Sequence, residues 1–547
     1  MSKDPCSEKT APIIGLGNFH KTLKHDPKTG LVNPDHYREF EAIANHGGDF
    51  ECVPRPDGAA KFINPQAGWA KEHLGPDPGS MDMPPPPCPM SDATAAEMTE
   101  LYWMALLRDK RFADFSANDP DIQAAIMDLS TAFDRGSADL KLGYDLPAKD
   151  GKLDLTAQTL FRGGLPGEDQ GPLVSQFFLH DIAYGTQIIL QKQFPYAECR
   201  NYLTDWDSWL KAQDTGKDSD GNDYPADNDY FKHHDYFDKG AFCPDGLRRI
   251  RNMRDLARFV NKDALHQAYF NAALLLSNWG APFAAGNPYL VGYEKQRSFG
   301  TFGGPHLLAQ VSEVAARALR VVWRQKWGVY RRFRPEVYGG LMEAQSQKRL
   351  QCELPKWVFE TKAAQRIQDQ GPYLLPMAFT AGSPAHPAYG AGHATVAGAC
   401  VTILKAWFDG SKLLKRDVLP NATHPVTAKP VHLVMPDKDG SDVLPEYGEG
   451  DLTVEGELNK LAANVAFGRC MGGVHWRTDN TRSLRLGEKI ATIILRRECH
   501  EYAERDPVWS YNNFDGHKVT IGGDGKVTVD GNEELACFYN RCEFRPF

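Results

Sequence analysis

Two histidines stand in a loop that leads directly into an apolar helix. The stretch Phe379–Phe408, FTAGSPAHPAYGAGHATVAGACVTILKAWF, carries His386 and His393 among glycines, prolines and alanines. The glycines and prolines disfavour a helix between the two histidines, so the predicted helix begins at His393. The free backbone N–H groups and the dipole of a first helical turn attract an anion. The alternative is that His393 only caps a buried helix.

A second junction between a histidine and a helix lies in ANVAFGRCMGGVHWRTDN. A helix predicted over 454–470 ends at Arg469, because the following glycine pair breaks it. His475 is then predicted to open a helix over 475–505, with Asp479 one turn later on the same face. An aspartate in this position can orient one ring nitrogen while the other does chemistry. A purely structural His–Asp pair is the alternative.

Basic residues are concentrated in VVWRQKWGVYRRFRPEVYGG. Helical periodicity over 308–332 places Lys326 on a long helix. Pro335 disfavours helix at the preceding Arg334, which is therefore predicted at the helix end. On its own, this segment is also typical of a charged helix face followed by a stop signal.

Together, the three segments predict an oxyanion site. The cations Lys326, Arg334 and Arg469 suit the oxygens of a phosphate or a vanadate. Of the two histidines at helix starts, one can attack or coordinate the central atom in its neutral form, and the other can move protons. These residues fit either phosphoryl transfer or vanadate chemistry.

The elements that position these residues belong to a mainly α-helical protein. Helical periodicity begins abruptly after Ser91, and strand-like alternation is scarce before residue 510. Near the end, HKVTIGGDGKVTVDG predicts a β-hairpin. Besides those already named, helices are predicted at about 121–134, 173–190 and 252–278. The expected units are an extended N-terminal wrapping segment (1–95), a helical-bundle catalytic core (96–505) and a C-terminal tail (506–547).

Composition excludes several classes of protein. The 547 residues carry a formal net charge of −9, which makes general nucleic-acid binding a poor hypothesis. We see neither a signal peptide nor an apolar window long enough to span a bilayer, so we expect a cytoplasmic protein without membrane contact. The eleven cysteines include no CxxC pair, which argues against a zinc ribbon. Whether Cys537 and Cys542 pair stays open.

The pattern of residues resembles the vanadium-dependent haloperoxidases and the related type 2 phosphatidic acid phosphatases. The similarity to red-algal and cyanobacterial bromoperoxidases covers about residues 20–505 and includes ELYWMALLRD, LFRGGLPGEDQGPLVSQ and TVEGELNKLAANVAFGR. It implies the helical bundles of that family. The matching positions are Lys326, Arg334-Pro335, Gly392-His393, Arg469 and His475 with Asp479.

The resemblance implies a role for each matching residue. His475 would be the axial ligand of vanadium, with Asp479 orienting its ring. His393 would be the acid–base catalyst, and an acidic partner for it is expected near Asn201 or Asp205. The oxygens of vanadate would bind Lys326, Arg334, Arg469 and the backbone N–H of Gly392, and Lys326 would also polarise peroxide.

Two positions depart from the family pattern or divide its branches. Ala391 stands where the family usually has a serine, so one hydroxyl donor to vanadate is absent and we expect weaker vanadate retention. Trp323 stands where red-algal enzymes have an arginine and fungal enzymes a tryptophan. His386 matches the histidine near the halide site of algal bromoperoxidases. Trp323 and His386 would therefore form a mixed halide pocket.

The activity that the resemblance implies is oxidation of bromide and iodide by hydrogen peroxide, with chloride as a further candidate. Vanadium would act as a Lewis acid of constant oxidation state. The hypohalous acid formed would halogenate an organic acceptor. One alternative is a phosphatase with His475 as nucleophile, and another is an inactive binding protein that lost activity through Ala391.

The resemblance also bears on assembly and on a structural cation. Red-algal relatives are built from dimers with interlocked N-terminal parts, so we expect a homo-oligomer, either a dimer or a dodecamer built from dimers. Their cation loop would fall at 285–303, where Glu294 is the only carboxylate. We therefore do not expect a structural calcium site to be kept.

Overall fold

The computed structural model of the protein describes residues 13–223, 246–440, 442–445 and 451–541. Within these ranges the fold is mainly helical, as predicted, and the strands are short. The α-helices are α1 (Pro34–His46), α2 (Asp92–Leu106), α3 (Pro120–Arg135), α4 (Trp206–Thr215), α5 (Met253–Lys262), α6 (Gln267–Asn278), α7 (Gly304–Trp323), α8 (Pro335–Ser346), α9 (Lys362–Gln368), α10 (Gly392–Trp407), α11 (Val454–Met471), α12 (Arg477–Cys499) and α13 (Cys537–Arg541). The strands are β1 (Ala148–Lys149), β2 (Lys152–Leu153), β3 (Ile182–Tyr184), β4 (Gln187–Ile189), β5 (Val434–Pro436), β6 (Val443–Pro445), β7 (Trp509–Asn512), β8 (Lys518–Ile521) and β9 (Val527–Val529).

The bundle centres on α10, which packs against α7, α11 and α12. Two glycines allow α10 and α12 to approach closely. A Cβ atom added to Gly398 would lie 1.9 Å from a backbone oxygen of α12, and one added to Gly487 would lie 2.0 Å from a backbone oxygen of α10. Because larger residues cannot fit there, the glycines fix the register of the two helices. That register sets His393, in the first turn of α10, relative to His475, which precedes α12.

The ends of helices carry the candidate site residues. The start of α10 and both bounds of α11 match the predicted ones to within one residue. The long helix predicted over 308–332 is instead α7 followed by a π-helical segment, Arg324–Tyr330, which contains Lys326. Arg334 is not at the end of that helix but is the N-cap of α8. His475 does not open α12 either, since Trp476 is the N-cap of that helix.

Part of the N-terminal segment packs against the π-helical segment that carries Lys326. The rings of four phenylalanines surround Trp327, with centroids between 5.5 and 6.5 Å from the Trp327 ring; they are Phe19, Phe40, Phe50 and Phe62. In addition, the buried Lys21 ammonium pairs with Glu336 at 2.7 Å, which ties the segment to the first turn of α8. The segment therefore supports the site, and it includes α1, which was not predicted.

The helix predicted over 173–190 is wrong. A 3-10 turn (Gln176–Phe178) and the hairpin β3–β4 occupy this stretch, and Ile182 pairs with Ile189. Gly185 adopts a φ of 59°, a backbone conformation that a tight hairpin turn requires. The isoleucines on both sides favour strands, so the apolar run is a hairpin rather than a helix.

The predicted C-terminal β-hairpin is confirmed as β8–β9, and β7 adds a third strand to its sheet. Cys537 is a free, exposed thiol, whereas Cys542 lies outside the described residues. Among the described helices, none is both long enough and apolar enough to cross a bilayer.

Candidate active site

Arg334 joins the two segments that carry histidines. Its Nη1 donates to the backbone oxygen of Val474 at 2.6 Å and lies 2.9 Å from Nε2 of His475. Its Nε donates to the backbone oxygen of His386, and its Nη2 lies near Nδ1 of the same ring, each at 3.0 Å. The guanidinium is buried. A single buried cation therefore orders both histidine segments.

The ring of His475 is held in one tautomer. Its Nδ1 lies 2.9 Å from Oδ2 of Asp479, which accepts hydrogen bonds, and its Nε2 faces the Arg334 guanidinium, which only donates them. Nδ1 therefore carries the proton, and Nε2 presents its lone pair to the cations. The same Oδ2 accepts the backbone N–H of Trp476 at 3.0 Å, which caps α12.

Arg332 and Glu97 extend this network, and the sequence analysis missed both residues. Arg332 donates to Oδ1 of Asp479 at 2.8 Å and to Oε2 of Glu97 at 2.7 Å. Glu97 also accepts the backbone N–H of Thr478 at 2.6 Å. All of these side chains are buried. The basic run RRFR was a signal for Arg332, but Glu97 lies 235 residues away in the chain.

Lys326 and Arg469 form a cluster of three buried cations with Arg334. Lys326 Nζ donates to the backbone oxygens of residues 387 and 388, at 2.7 and 3.0 Å. Arg469 Nη1 donates to the backbone oxygen of Val260 at 2.6 Å. These acceptors are neutral carbonyl groups, which solvate a positive charge without neutralising it. Burial, and then the charge of Arg334, lower the pKa of Lys326 well below its usual value.

The cations act on the two buried imidazoles. Burial, followed by the charges of Arg334 and Lys326, lowers the pKa of His475 well below 6.5. Burial and the same two charges lower the pKa of His386 in the same direction. Both rings are therefore neutral at neutral pH, and the cluster combines three cations with a lone pair on Nε2 of His475.

The start of α10 forms another part of the site. Ala391 is the N-cap and its side chain provides no capping hydrogen bond. Its backbone N–H donates to Oγ of Ser483 at 2.9 Å, a contact that the sequence analysis missed. Ser483 thereby fixes the peptide between Gly390 and Ala391, which directly precedes the peptide of Gly392, the residue whose N–H is the expected donor to the anion.

The two residues expected in a halide pocket do contact each other. The ring centroids of Trp323 and His386 are 5.1 Å apart, with an angle of 39° between the planes. Lys326 Nζ lies 5.7 Å from the centroid of the Trp323 ring. An aromatic surface, a neutral imidazole and a cation therefore share one buried region.

His393 is bound to an acid that the sequence analysis did not single out. Its Nε2 lies 3.0 Å from Oδ1 of Asp263, the C-cap residue of α5, and 24% of its side chain is exposed. The expected partners were wrong: Asn201 accepts from Arg108, and Asp205 caps α4. Asp263 reaches His393 because α5 packs against α11 in the bundle.

The described ranges show no cluster of metal-ligating side chains. Within them, no group of three or more His, Cys, Asp or Glu side chains is arranged to hold a metal ion. Glu294, the carboxylate of the expected calcium loop, is exposed.

Comparisons with known proteins identify the family. A family model described as the VCPO second helical-bundle domain matches residues 306–502. The vanadium-dependent bromoperoxidase of Corallina pilulifera is 34% identical, over 95% of this chain and 93% of its own length. The chain belongs to the vanadium-dependent bromoperoxidases. A bromoperoxidase of this name from Ascophyllum nodosum is 33% identical, over 94% of this chain and 88% of its own length.

A solved bromoperoxidase structure has the same fold. The second vanadate-dependent bromoperoxidase from Ascophyllum nodosum, described as a homohexamer, matches with a TM-score of 0.80 and 29% identity. The match covers 95% of this chain and 86% of that chain. The helical-bundle fold that the sequence predicts is thus the fold of a bromoperoxidase.

Proposed function

We propose that this protein is a vanadate-dependent bromoperoxidase. It uses hydrogen peroxide to oxidise bromide, and also iodide, in the reaction H₂O₂ + Br⁻ + H⁺ → HOBr + H₂O. The hypobromous acid then halogenates an organic acceptor. The observation that carries this proposal is the neutral imidazole of His475, whose Nε2 faces a buried cluster of three cations.

The residues of this cluster fit vanadate. An oxyanion with several oxygens matches the donors of Lys326, Arg334 and Arg469, and the lone pair of His475 Nε2 can bind the metal. Gly392, in the first turn of α10, would donate its backbone N–H to the anion. When bound, vanadate supplies a Lewis-acidic metal that activates hydrogen peroxide toward halide attack.

The side chains divide the remaining work. Lys326, Arg334 and Arg469 hold negative charge in a buried site, where electrostatic stabilisation is stronger than in water. Asp263 accepts the Nε2 proton of His393, which leaves Nδ1 of His393 to accept and return a proton. Asp479 keeps the proton of His475 on Nδ1 and so keeps Nε2 open.

A pair of assays tests this function. The purified full-length protein is given vanadate, peroxide and bromide, and bromination of phenol red is followed beside hydrolysis of p-nitrophenyl phosphate. We expect bromination that requires vanadate and that phosphate inhibits by competition. Phosphate ester hydrolysis without bromination would show the phosphatase instead, and neither activity at saturating vanadate would show an inactive protein.

The pH dependence of vanadate binding follows from the lowered pKa of His475. A lowered pKa means that the folded protein resists protonation, so Nε2 loses its lone pair only well below pH 6.5. For a histidine of ordinary pKa, the neutral fraction would fall about tenfold between pH 7.5 and pH 5.5. We therefore expect the affinity for vanadate not to weaken in this way between the two pH values, when its dissociation constant is measured by equilibrium dialysis at each. A tenfold weakening would contradict the tautomer and charge assignment.

Restoring a hydroxyl at position 391 should tighten vanadate binding. Ala391 is fully buried and is the N-cap of α10, where a serine can donate to the anion. One neutral hydrogen bond contributes about 0.5–1.5 kcal/mol, so Ala391→Ser should strengthen binding about two- to tenfold. Ala397→Ser adds the same group to another buried position of α10 and is the control. Equal affinity for vanadate in Ala391→Ser and the unaltered protein would contradict a donor role for a hydroxyl at position 391.

We also propose that Trp323 and His386 form the halide pocket. The contact of their rings, beside Lys326, supports it. Trp323→Arg adds a fourth positive charge to this buried region, which changes the desolvation and binding of small halides most. We expect the ratio of chloride to bromide turnover to change at least about threefold, a modest binding difference. An unchanged ratio in steady-state assays would rule out a role for Trp323 in halide selection.

The oligomeric state is a further part of the proposal. The homohexameric relative supports a homo-oligomer for this chain, although a hexamer was not among the assemblies expected from the sequence. Light scattering coupled to gel filtration should give the mass of an assembly of two or more chains. Elution as a monomer at assay concentration would contradict this.

A further inference from the structure

The N-terminal segment reaches the proposed halide pocket through the main chain of one residue, Ile63. The N–H of Ile63 donates to the backbone oxygen of Ala385 at 3.0 Å, and the indole N–H of Trp323 donates to the backbone oxygen of Ile63 at 3.3 Å. Ala385 directly precedes His386 in the chain. One residue from outside the helical bundle therefore bonds both to Trp323 and to the loop that carries His386.

The local sequence explains why the main chain of Ile63 makes these two contacts. Ile63 lies outside the helices and strands, so its N–H and its oxygen bond to other segments. Asn64, the next residue, adopts a left-handed conformation with a φ of 43°, which asparagine tolerates better than most side chains do. Pro65 then begins the 3-10 turn Pro65–Trp69, because a proline suits the first position of a helical turn. The chain thus bends away immediately after Ile63.

The 3-10 turn that follows rests directly on the end of α7. A Cβ atom added to Gly68 would lie 3.0 Å from the backbone oxygen of Trp323 and 3.4 Å from Cβ of Trp327. The absence of a side chain at Gly68 therefore allows the turn to approach the helix closely. In addition, the guanidinium of Arg324 lies over the Trp69 ring, 5.6 Å from its centroid. The segment that contains Ile63 is thus packed against the same helix end that carries Trp323.

We propose that Ile63 is a positioning residue of the halide pocket, whose two main-chain hydrogen bonds hold Trp323 beside His386 and so set the affinity for halide. The inference rests on the proposed bromoperoxidase activity and on the proposed pocket. The rings of Trp323 and His386 belong to different segments of the chain, and their centroids are 5.1 Å apart. Neither bond of Ile63 involves a residue of the cation cluster. The affinity for halide should therefore depend on these bonds more than the affinity for vanadate does.

The expected consequence is a change in halide binding rather than in the chemical step. A ring that is held in its bound orientation before the halide arrives loses no further freedom when the halide binds. An indole ring released from Ile63 would lose that freedom on binding, and the halide would be held more weakly. Because the contact serves the bound halide and the transition state alike, its loss raises the Michaelis constant and leaves turnover unchanged.

Steady-state kinetics of variants at position 63 test the effect on the halide. Ile63→Pro removes the N–H that binds Ala385, whereas Ile63→Val keeps the main chain and is the matched control. In the vanadate-loaded full chain, we expect Ile63→Pro to raise the Michaelis constant for bromide about two- to tenfold, the effect of one neutral hydrogen bond. Turnover and the dissociation constant of vanadate should stay within about twofold of the unaltered protein, less than the loss of such a bond. If circular dichroism shows that Ile63→Pro does not fold, Ile63→Gly, which frees the backbone, should show the same rise.

Hydrogen exchange tests the contact itself and needs no turnover. Trp323→Phe keeps an aromatic ring but removes the N–H that binds Ile63, so the amide of Ile63 should exchange about two- to tenfold faster. Trp509→Phe is the matched control, because Nε1 of Trp509 is also buried but has no hydrogen-bond partner in the part of the chain that the structure describes. It should leave exchange at Ile63 unchanged. Mass spectrometry of peptides that cover Ile63 measures the rates.

Three results would overturn the inference. The Michaelis constant for bromide could stay unchanged in folded Ile63→Pro or Ile63→Gly. Turnover, vanadate affinity and the Michaelis constant could instead worsen together, which would mean that Ile63 has only a structural role. Exchange at Ile63 could be equal in Trp323→Phe and the unaltered protein, which would mean that the bond to Trp323 does not hold the segment. Absence of bromination by the unaltered protein is a different result, since it contradicts the proposed activity itself, and an unchanged halide ratio in Trp323→Arg contradicts the proposed pocket.

Discussion

Replacing His475 with alanine should abolish vanadate-dependent bromide oxidation and vanadate binding together. Nε2 of His475 carries the lone pair that faces the cation cluster, and the hydrogen bond from Nδ1 to Asp479 keeps this lone pair available. Without this lone pair, vanadium in the proposed site would have no protein ligand, and the cations alone would hold the oxyanion too weakly for binding to be retained. We expect turnover to fall at least about a thousandfold, since removing a group that acts directly at the reaction centre has effects of this size.

The controls for this variant separate chemistry from folding. His180→Ala also removes a buried imidazole, one that packs against Trp279 away from the site, and should keep both vanadate binding and activity. Equilibrium dialysis and circular dichroism measure binding and fold. Added imidazole should restore part of the activity of His475→Ala by filling the space left. If His475→Ala binds vanadate normally and keeps more than about a tenth of the turnover of the unaltered protein, His475 is not the ligand.

Local sequence signals predicted the elements of the site well. The start of α10 and both bounds of α11 could be predicted because a glycine-rich loop, capping residues and long apolar runs mark them. The positions of Lys326, Arg334 and Arg469 could be predicted as a pattern, and the structure brings all three beside His475. The pattern did not predict the backbone conformation at the helix ends. Lys326 lies in a π-helical segment, and Arg334 caps the next helix.

Contacts over long sequence separations could not be predicted. The partner of His393 is 130 residues away, at the end of α5, and no local feature of that helix marks Asp263. The contact depends on how α5 packs against α11, which is a property of the whole bundle. Arg332 and Glu97 were missed for the same reason. Arg332 pairs with Asp479 of α12 and with Glu97 of α2, so these buried ion pairs join residues from different helices.

These buried pairs explain how the site keeps its geometry while concentrating positive charge. Arg332 has Glu97 and Asp479 as partners, so it balances carboxylates that would otherwise be attracted into the cluster. Breaking one such pair leaves a buried charge without compensation, which costs about 3–5 kcal/mol. Arg332 thus pairs with carboxylates behind Asp479, while Lys326, Arg334 and Arg469 donate to backbone carbonyl oxygens around the site of His475.

Replacing His393 with alanine should have a different signature from loss of His475. His393 bonds Asp263 through Nε2 and is partly exposed, so Nδ1 can exchange protons at the edge of the site. Removing a general acid–base group lowers turnover by about a hundred- to ten-thousandfold. Because His393 holds no vanadium in this assignment, His393→Ala should bind vanadate within about fivefold of the unaltered protein, a loss of no more than one hydrogen bond.

Asp263→Asn tests whether the acid orients this ring. The amide keeps the size of the side chain but loses the charge-assisted hydrogen bond, so turnover should fall about tenfold with little change in the Michaelis constant for bromide. Asp205→Asn, at the position that the sequence suggested, should have no effect on turnover, since Asp205 caps α4. Equal losses in both variants would mean that the effect of Asp263→Asn is structural. A large loss of vanadate affinity in His393→Ala would mean that His393 binds the anion rather than moving protons.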